Sequence, residues 1–145
     1  MAAIPGRILV PVDGSPAALR AARHAAVLIR AGLAQSAVLL NVQPPVMSGE
    51  VSPLVALEEV QRMRQTAGEQ TLAAARQVFA DADTSCELRI ACGDAGDTIA
   101  ATAVESGCTQ VVMGTRGLGK IANLVLGSVA NWVLHLVNVP LTLIK

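Results

Sequence analysis

Gly114-Thr115-Arg116-Gly117, followed after nine residues by Gly127-Ser128, is the segment of this chain best suited to chemistry. It comes directly after the apolar run Val111–Met113 and before a helical pattern, which places it in a loop at the carboxyl end of a strand. Glycine has no Cβ and tolerates φ > 0, so phosphate oxygens can come close to such a main chain, and a helix opening near Ser128 adds the positive end of its dipole. The chemistry indicated is binding of nucleotide phosphates. An acidic turn, Asp13-Gly-Ser-Pro16, stands near the other end of the sequence, after the β-branched run Arg7–Val12.

Other site types fit the residues less well. Gly114, Gly119 and Lys120 satisfy most of a G-x-x-x-x-G-K phosphate loop, but Ile121 stands where Ser or Thr must hold magnesium. A dinucleotide fingerprint needs G-x-G-x-x-G after the first strand, whereas the glycines here fall at 114, 117 and 119, after the fourth. His24 and His135 have no nearby partner for a triad or a metal site, and no serine sits in a G-x-S-x-G elbow. Phe79 and Trp132 are the only large aromatic residues, too few for a base-stacking surface.

Composition narrows the class further. The 145 residues suit one domain, 1–145, and 52% of them are apolar. Eleven Lys plus Arg balance eleven Asp plus Glu, which gives no electrostatic case for nucleic acid or for an anionic membrane. Cys86, Cys92 and Cys108 form no C-x-x-C pair, and their odd number fits free thiols in a reducing compartment. Cys86 and Cys92 share a predicted strand but lie roughly 20 Å apart along it, too far to bond. With neither a signal-peptide pattern at the amino terminus nor a long apolar stretch, the expectation is a cytoplasmic protein.

The elements that must position the two features can be read from periodicity. Arg7–Val12 feeds a helix capped by Ser15, with Pro16 in its first turn and Leu19, Ala22, Ala26 and Ile29 at helical spacing up to Gly32. Ala37–Val42 is a second strand, apolar almost throughout, as burial on both faces of a parallel sheet requires. A mobile loop over Val46–Ser52 then precedes a long helix from about Pro53 to Ala82, with Leu54, Leu57, Val60, Met63, Ala67, Leu72, Ala75 and Phe79 as its stripe. Ser85–Ala91, a helix ending near Ser106, Gln110–Met113, a helix over Ser128–Val137 and a strand Leu141–Lys145 complete the pattern. The alternation predicts a single open, doubly wound, five-stranded parallel α/β sheet in order 3-2-1-4-5, with helices on both faces. Strands one and four then lie side by side, and Asp13 and Gly114 meet at their tips, where winding reverses and such sheets bind ligands.

With G-x2-G-x9-G-[ST] as the surviving motif, the chain resembles the ATP-binding branch of the universal stress protein family. Ile8-Leu-Val-Pro-Val-Asp-Gly-Ser15, Leu39-Leu-Asn-Val42, Gly93-Asp-Ala, Val111-Val-Met-Gly-Thr-Arg-Gly117, Gly127-Ser-Val129 and Pro140-Leu-Thr-Leu-Ile144 carry the resemblance, which spans almost the whole sequence. It implies that Asp13 and the backbone of Val42 hold the adenosine end, with Pro11, Val12 and Met113 as apolar walls. Gly114, Gly117, Gly127 and Ser128 would present amides, and Ser128 its hydroxyl, to ribose and phosphates, with Val129 beside them. Arg116 either neutralises phosphate charge or is an exposed loop arginine without ligand duty.

The ligand implied is ATP, or ADP or AMP, with Mg2+ or Mn2+ arriving on the phosphates because no carboxylate cage is evident. The resemblance also implies a homodimer paired through the Leu141–Ile144 edge strands. The expected role is nucleotide-dependent regulation in a stress response. The alternatives are a slow ATPase or other adenine-nucleotide enzyme, and an adaptor module that binds no nucleotide.

Overall fold

The computed structural model describes residues 6–45, 57–118 and 126–145. Strands and helices alternate: β1 (Arg7–Pro11), α1 (Pro16–Arg30), β2 (Ser36–Gln43), α2 (Leu57–Asp81), β3 (Cys86–Cys92), α3 (Ala95–Glu105), β4 (Cys108–Gly114), α4 (Ser128–Leu136) and β5 (Leu141–Ile144). Every strand pair is parallel, and the order is β3-β2-β1-β4-β5, as the sequence pattern predicts. The loop expected over Val46–Ser52, the expected helix start at Pro53, and Gly119, Lys120 and Ile121 lie outside the described residues. No described helix is long and apolar enough to cross a membrane.

The sheet divides the interior in two. α1 and α2 cover Ile8, Val10 and Leu39 on one face, and α3 and α4 cover Leu9, Leu40 and Val111 on the other, all six strand residues being fully buried. Burial on both faces explains why β1 and β2 are apolar without alternation. Burial also pushes the Cys86 and Cys108 thiols up in pKa.

Two helices use their sequences differently from the periodic reading. In α1 the buried face is Ala17, Ala18, Ala21, Ala22, Ala25 and Ala26, while Leu19 and Ile29 are only half-buried. A face of methyl groups lets the helix lie close to the sheet, where leucine would hold it off. In α2 only Gly68, Leu72, Ala75 and Phe79 are buried; Leu57 and Met63, expected on the same stripe, are 73% and 64% exposed. A Cβ on Gly14, at the tip of β1, would sit 3.6 Å from Thr71. Thr71 is thus level with the end of the sheet, and the turns before it extend beyond the strands.

At the opposite end of the sheet, Glu87 bonds both Arg7 and Arg89, whose guanidiniums also reach the Ser106 carbonyl and hydroxyl at 3.2 and 2.6 Å. The Arg7 hydrogen bond is the main cause holding the Glu87 carboxyl below the ordinary glutamate value of 4.5. Since the folded-state pKa is the lower one, the ionised group stabilises the fold above that ordinary value, and the contribution is lost as pH falls through the folded-state pKa. Glu87→Gln should therefore lower the urea midpoint slightly at pH 7 and match the parent once both are titrated in acid. An equal difference at both pH values would mean the carboxylate charge is not what matters.

Candidate functional site

Winding reverses between β1 and β4, and a cavity of about 340 Å³ opens there at the carboxyl ends of the strands, within the size range of small-molecule sites. Its walls include Pro11, Val12 and Asp13 from the end of β1, Val42 from β2, and Met113 and Gly114 from β4. Arg116 and Gly117 come from the glycine loop, and Gly127, Ser128 and Val129 from the start of α4. The fold thus brings together the eleven residues that the family resemblance implies for the site. Asn41, Ala95, Ile99 and Ala130 also line it and were missed. A lone amide inside an apolar strand was a readable signal for Asn41; Ala95 and Ile99 depend on how α3 lies over the sheet, which periodicity does not specify.

The acidic side of the cavity is pinned. Asp13 is exposed, its Oδ1 accepts the Ser15 N–H at 2.9 Å, and a Cβ on Gly117 would lie 2.5 Å from its Oδ2. Capping of α1 is done by Ser15, whose hydroxyl accepts the Ala18 N–H at 3.2 Å, so the Asp13 carboxylate is left facing the loop.

The glycines have different reasons to be glycine. Gly114 is packed against α1, where a Cβ would be 2.8 Å from Ala17 Cβ and 3.2 Å from its backbone. The Gly127 N–H donates to Thr115 O at 2.6 Å, closing the base of the loop, so this amide is engaged within the chain. Gly117 alone meets the opposite wall.

The anion-attracting side is the start of α4. Ser15 and Asp94 side chains cap α1 and α3, but Gly127 at the N-cap of α4 supplies no side-chain bond. The first intrahelical bond runs from the Asn131 N–H to Gly127 O at 3.0 Å, so the N–H groups of Ser128, Val129 and Ala130 precede the ladder. All three residues line the cavity. Orphan amides and the helix dipole together attract negative charge. Arg116 is exposed on the loop above them and forms no ion pair with the described residues. Val12 and Met113, each 5% exposed, make the apolar part of the wall.

An open, doubly wound parallel sheet with its crevice at the winding reversal, an acid on one side and an uncapped helix on the other, is a Rossmann-type α/β protein. Residues 5–145 match the Universal stress protein family, and the chain belongs to it. Among solved structures it is similar to universal stress protein UspA from Lactobacillus plantarum, at 22% identity and a TM-score of 0.80 over 97% of each chain. A universal stress protein in complex with cAMP is 23% identical, with a TM-score of 0.69 over 97% of this chain and 96% of that one. A family protein from Arabidopsis thaliana with AMP bound is 23% identical, with a TM-score of 0.67 over 97% and 92%. No curated protein matches the chain.

Proposed function

We propose that this protein binds an adenine nucleotide in the crevice between β1 and β4, with ATP as the ligand, and acts as a nucleotide-dependent regulatory protein in a stress response. The uncapped start of α4, whose first three backbone N–H groups precede the helix ladder on residues that line the same cavity as Asp13, carries the reading. Phosphate lies at Ser128–Ala130 with Arg116 above it, and adenosine lies against Val12, Met113, Asp13 and the Val42 backbone. The cAMP and AMP complexes of similar chains support an adenine nucleotide.

A divalent cation would arrive with the nucleotide, held by phosphate oxygens. Isothermal titration with ATP, ADP, AMP and cAMP, beside mass spectrometry of ligand retained through purification, tests the proposal. Saturable heat with ATP is expected; no heat with any of the four would leave the adaptor role instead.

The same reading includes a homodimer paired through β5. The Val111 and Thr115 N–H groups donate to Pro140 and Ile144 carbonyls at 2.9 and 2.8 Å, so even-numbered residues of β5 face β4 and Leu141 and Leu143 turn their peptide groups to the open edge. Leu143→Pro removes an edge donor without touching the β4 ladder. Light scattering should then give the mass of one chain where the parent gives two, and an unchanged dimer would place the contact elsewhere.

A further inference from the structure

Asn41 is the buried polar residue that the site, so described, does not use. Ala37 and Leu39 precede it on the same face of β2 and are fully buried in the apolar core, while Asn41 itself is 4% exposed. A primary amide in that setting is costly unless both of its ends are bonded. Both are: Nδ2 donates to Val12 O at 2.8 Å, and Oδ1 accepts from Gln43 Nε2 at 2.6 Å. A carbonyl can only accept, which fixes which end of the amide faces Val12.

The bond to Val12 replaces a rung of the sheet. Odd-numbered residues of β2 pair toward β3, as Gly93 N–H to Gln43 O shows, and even-numbered ones toward β1, where Leu40 O accepts the Val12 N–H at 2.8 Å. The next regular rung would run from the Val42 N–H to Val12 O. Asn41 occupies that carbonyl from the side, at the point where β1 ends and the chain turns into Asp13. Val42 then stands one step past the β1–β2 pairing, and by the same alternation its N–H and C=O turn to the β1 side of the strand, where Val42 lines the cavity.

The geometry points to Asn41 as a positioning residue for the adenosine end of the site: its amide ends β1–β2 pairing, holds the Val12–Asp13 peptide, and leaves the Val42 backbone and the Asp13 carboxylate to the ligand. Gln43 acts through it by fixing Oδ1. This rests on the nucleotide reading above and adds a residue that touches neither base nor phosphate.

Titrations with adenosine, ATP and tripolyphosphate separate this role from general packing. Asn41→Leu, similar in size, should weaken adenosine and ATP alike by about tenfold, the loss of one hydrogen bond as the Val42 N–H turns to Val12 O, and leave tripolyphosphate unchanged because α4 is untouched. In an Asp13→Ala background the same substitution should cost much less, since the group it positions is gone. Gln43→Leu, on the half-buried rim, should weaken adenosine by about threefold and serves if Asn41→Leu does not fold. Unchanged adenosine affinity in Asn41→Leu, or in Gln43→Leu should that variant be needed, or tripolyphosphate binding that falls in step, overturns the assignment while parental binding stands. A parent protein that binds neither adenosine nor ATP overturns the nucleotide reading together with it.

Discussion

Asp13→Ala should lower ATP affinity by about 10- to 100-fold, the effect of removing one hydrogen bond to a charged group, and should leave the thermal midpoint nearly unchanged. The asymmetry follows from position. The carboxylate is exposed, it makes a single hydrogen bond among the described residues, and the cap on α1 belongs to Ser15. Gly117→Val should weaken binding through the same group, because its Cβ meets Asp13 Oδ2 at 2.5 Å and turns the carboxylate aside. Asp13 Oδ2 is the atom nearest to the added side chain, so the acid is displaced first. Titration calorimetry on both single variants and the double variant checks this: losses that multiply in full would show that the two positions act separately.

Gly114→Val should act on stability, by about 3 kcal/mol, the upper part of the range for forcing atoms into a filled interior. Its Cβ would lie 2.8 Å from Ala17 Cβ, 3.2 Å from Ala17 C and 3.3 Å from Ala18 N, and two of these are backbone atoms that no rotamer change can move. Relief requires α1 to shift from β4 as a whole. Urea unfolding should show a lower midpoint with an unchanged slope, and binding should fall only in proportion to the folded fraction. A parental midpoint with binding lost would reassign this glycine to the ligand.

The fold was legible because its signals are local and repeated. Apolar runs at Arg7–Pro11, Ser36–Gln43 and Cys108–Gly114 alternate with helices, and a parallel sheet then leaves few topologies open. The meeting of Asp13 and Gly114 was legible for the same reason, since strand order alone brings them to neighbouring tips. The division of labour among the glycines was not. Spacing shows that residues 114, 117 and 127 lack side chains, but only packing shows that the first meets α1, the second meets Asp13 and the third bonds Thr115. The α2 stripe misled because helical period predicts a face, whereas burial depends on how far the sheet extends beneath it.

The alanine face of α1 also limits how the crevice can respond to a ligand. Alanine has no χ angle, so the six methyl groups against the sheet admit one arrangement, with no alternative side-chain states to exchange. The wall formed by α1 and β1 is therefore a fixed reference surface. Adjustment to a nucleotide would fall instead to the start of α4, which has no cap, and to Arg116, Gly117 and Leu118, which are exposed.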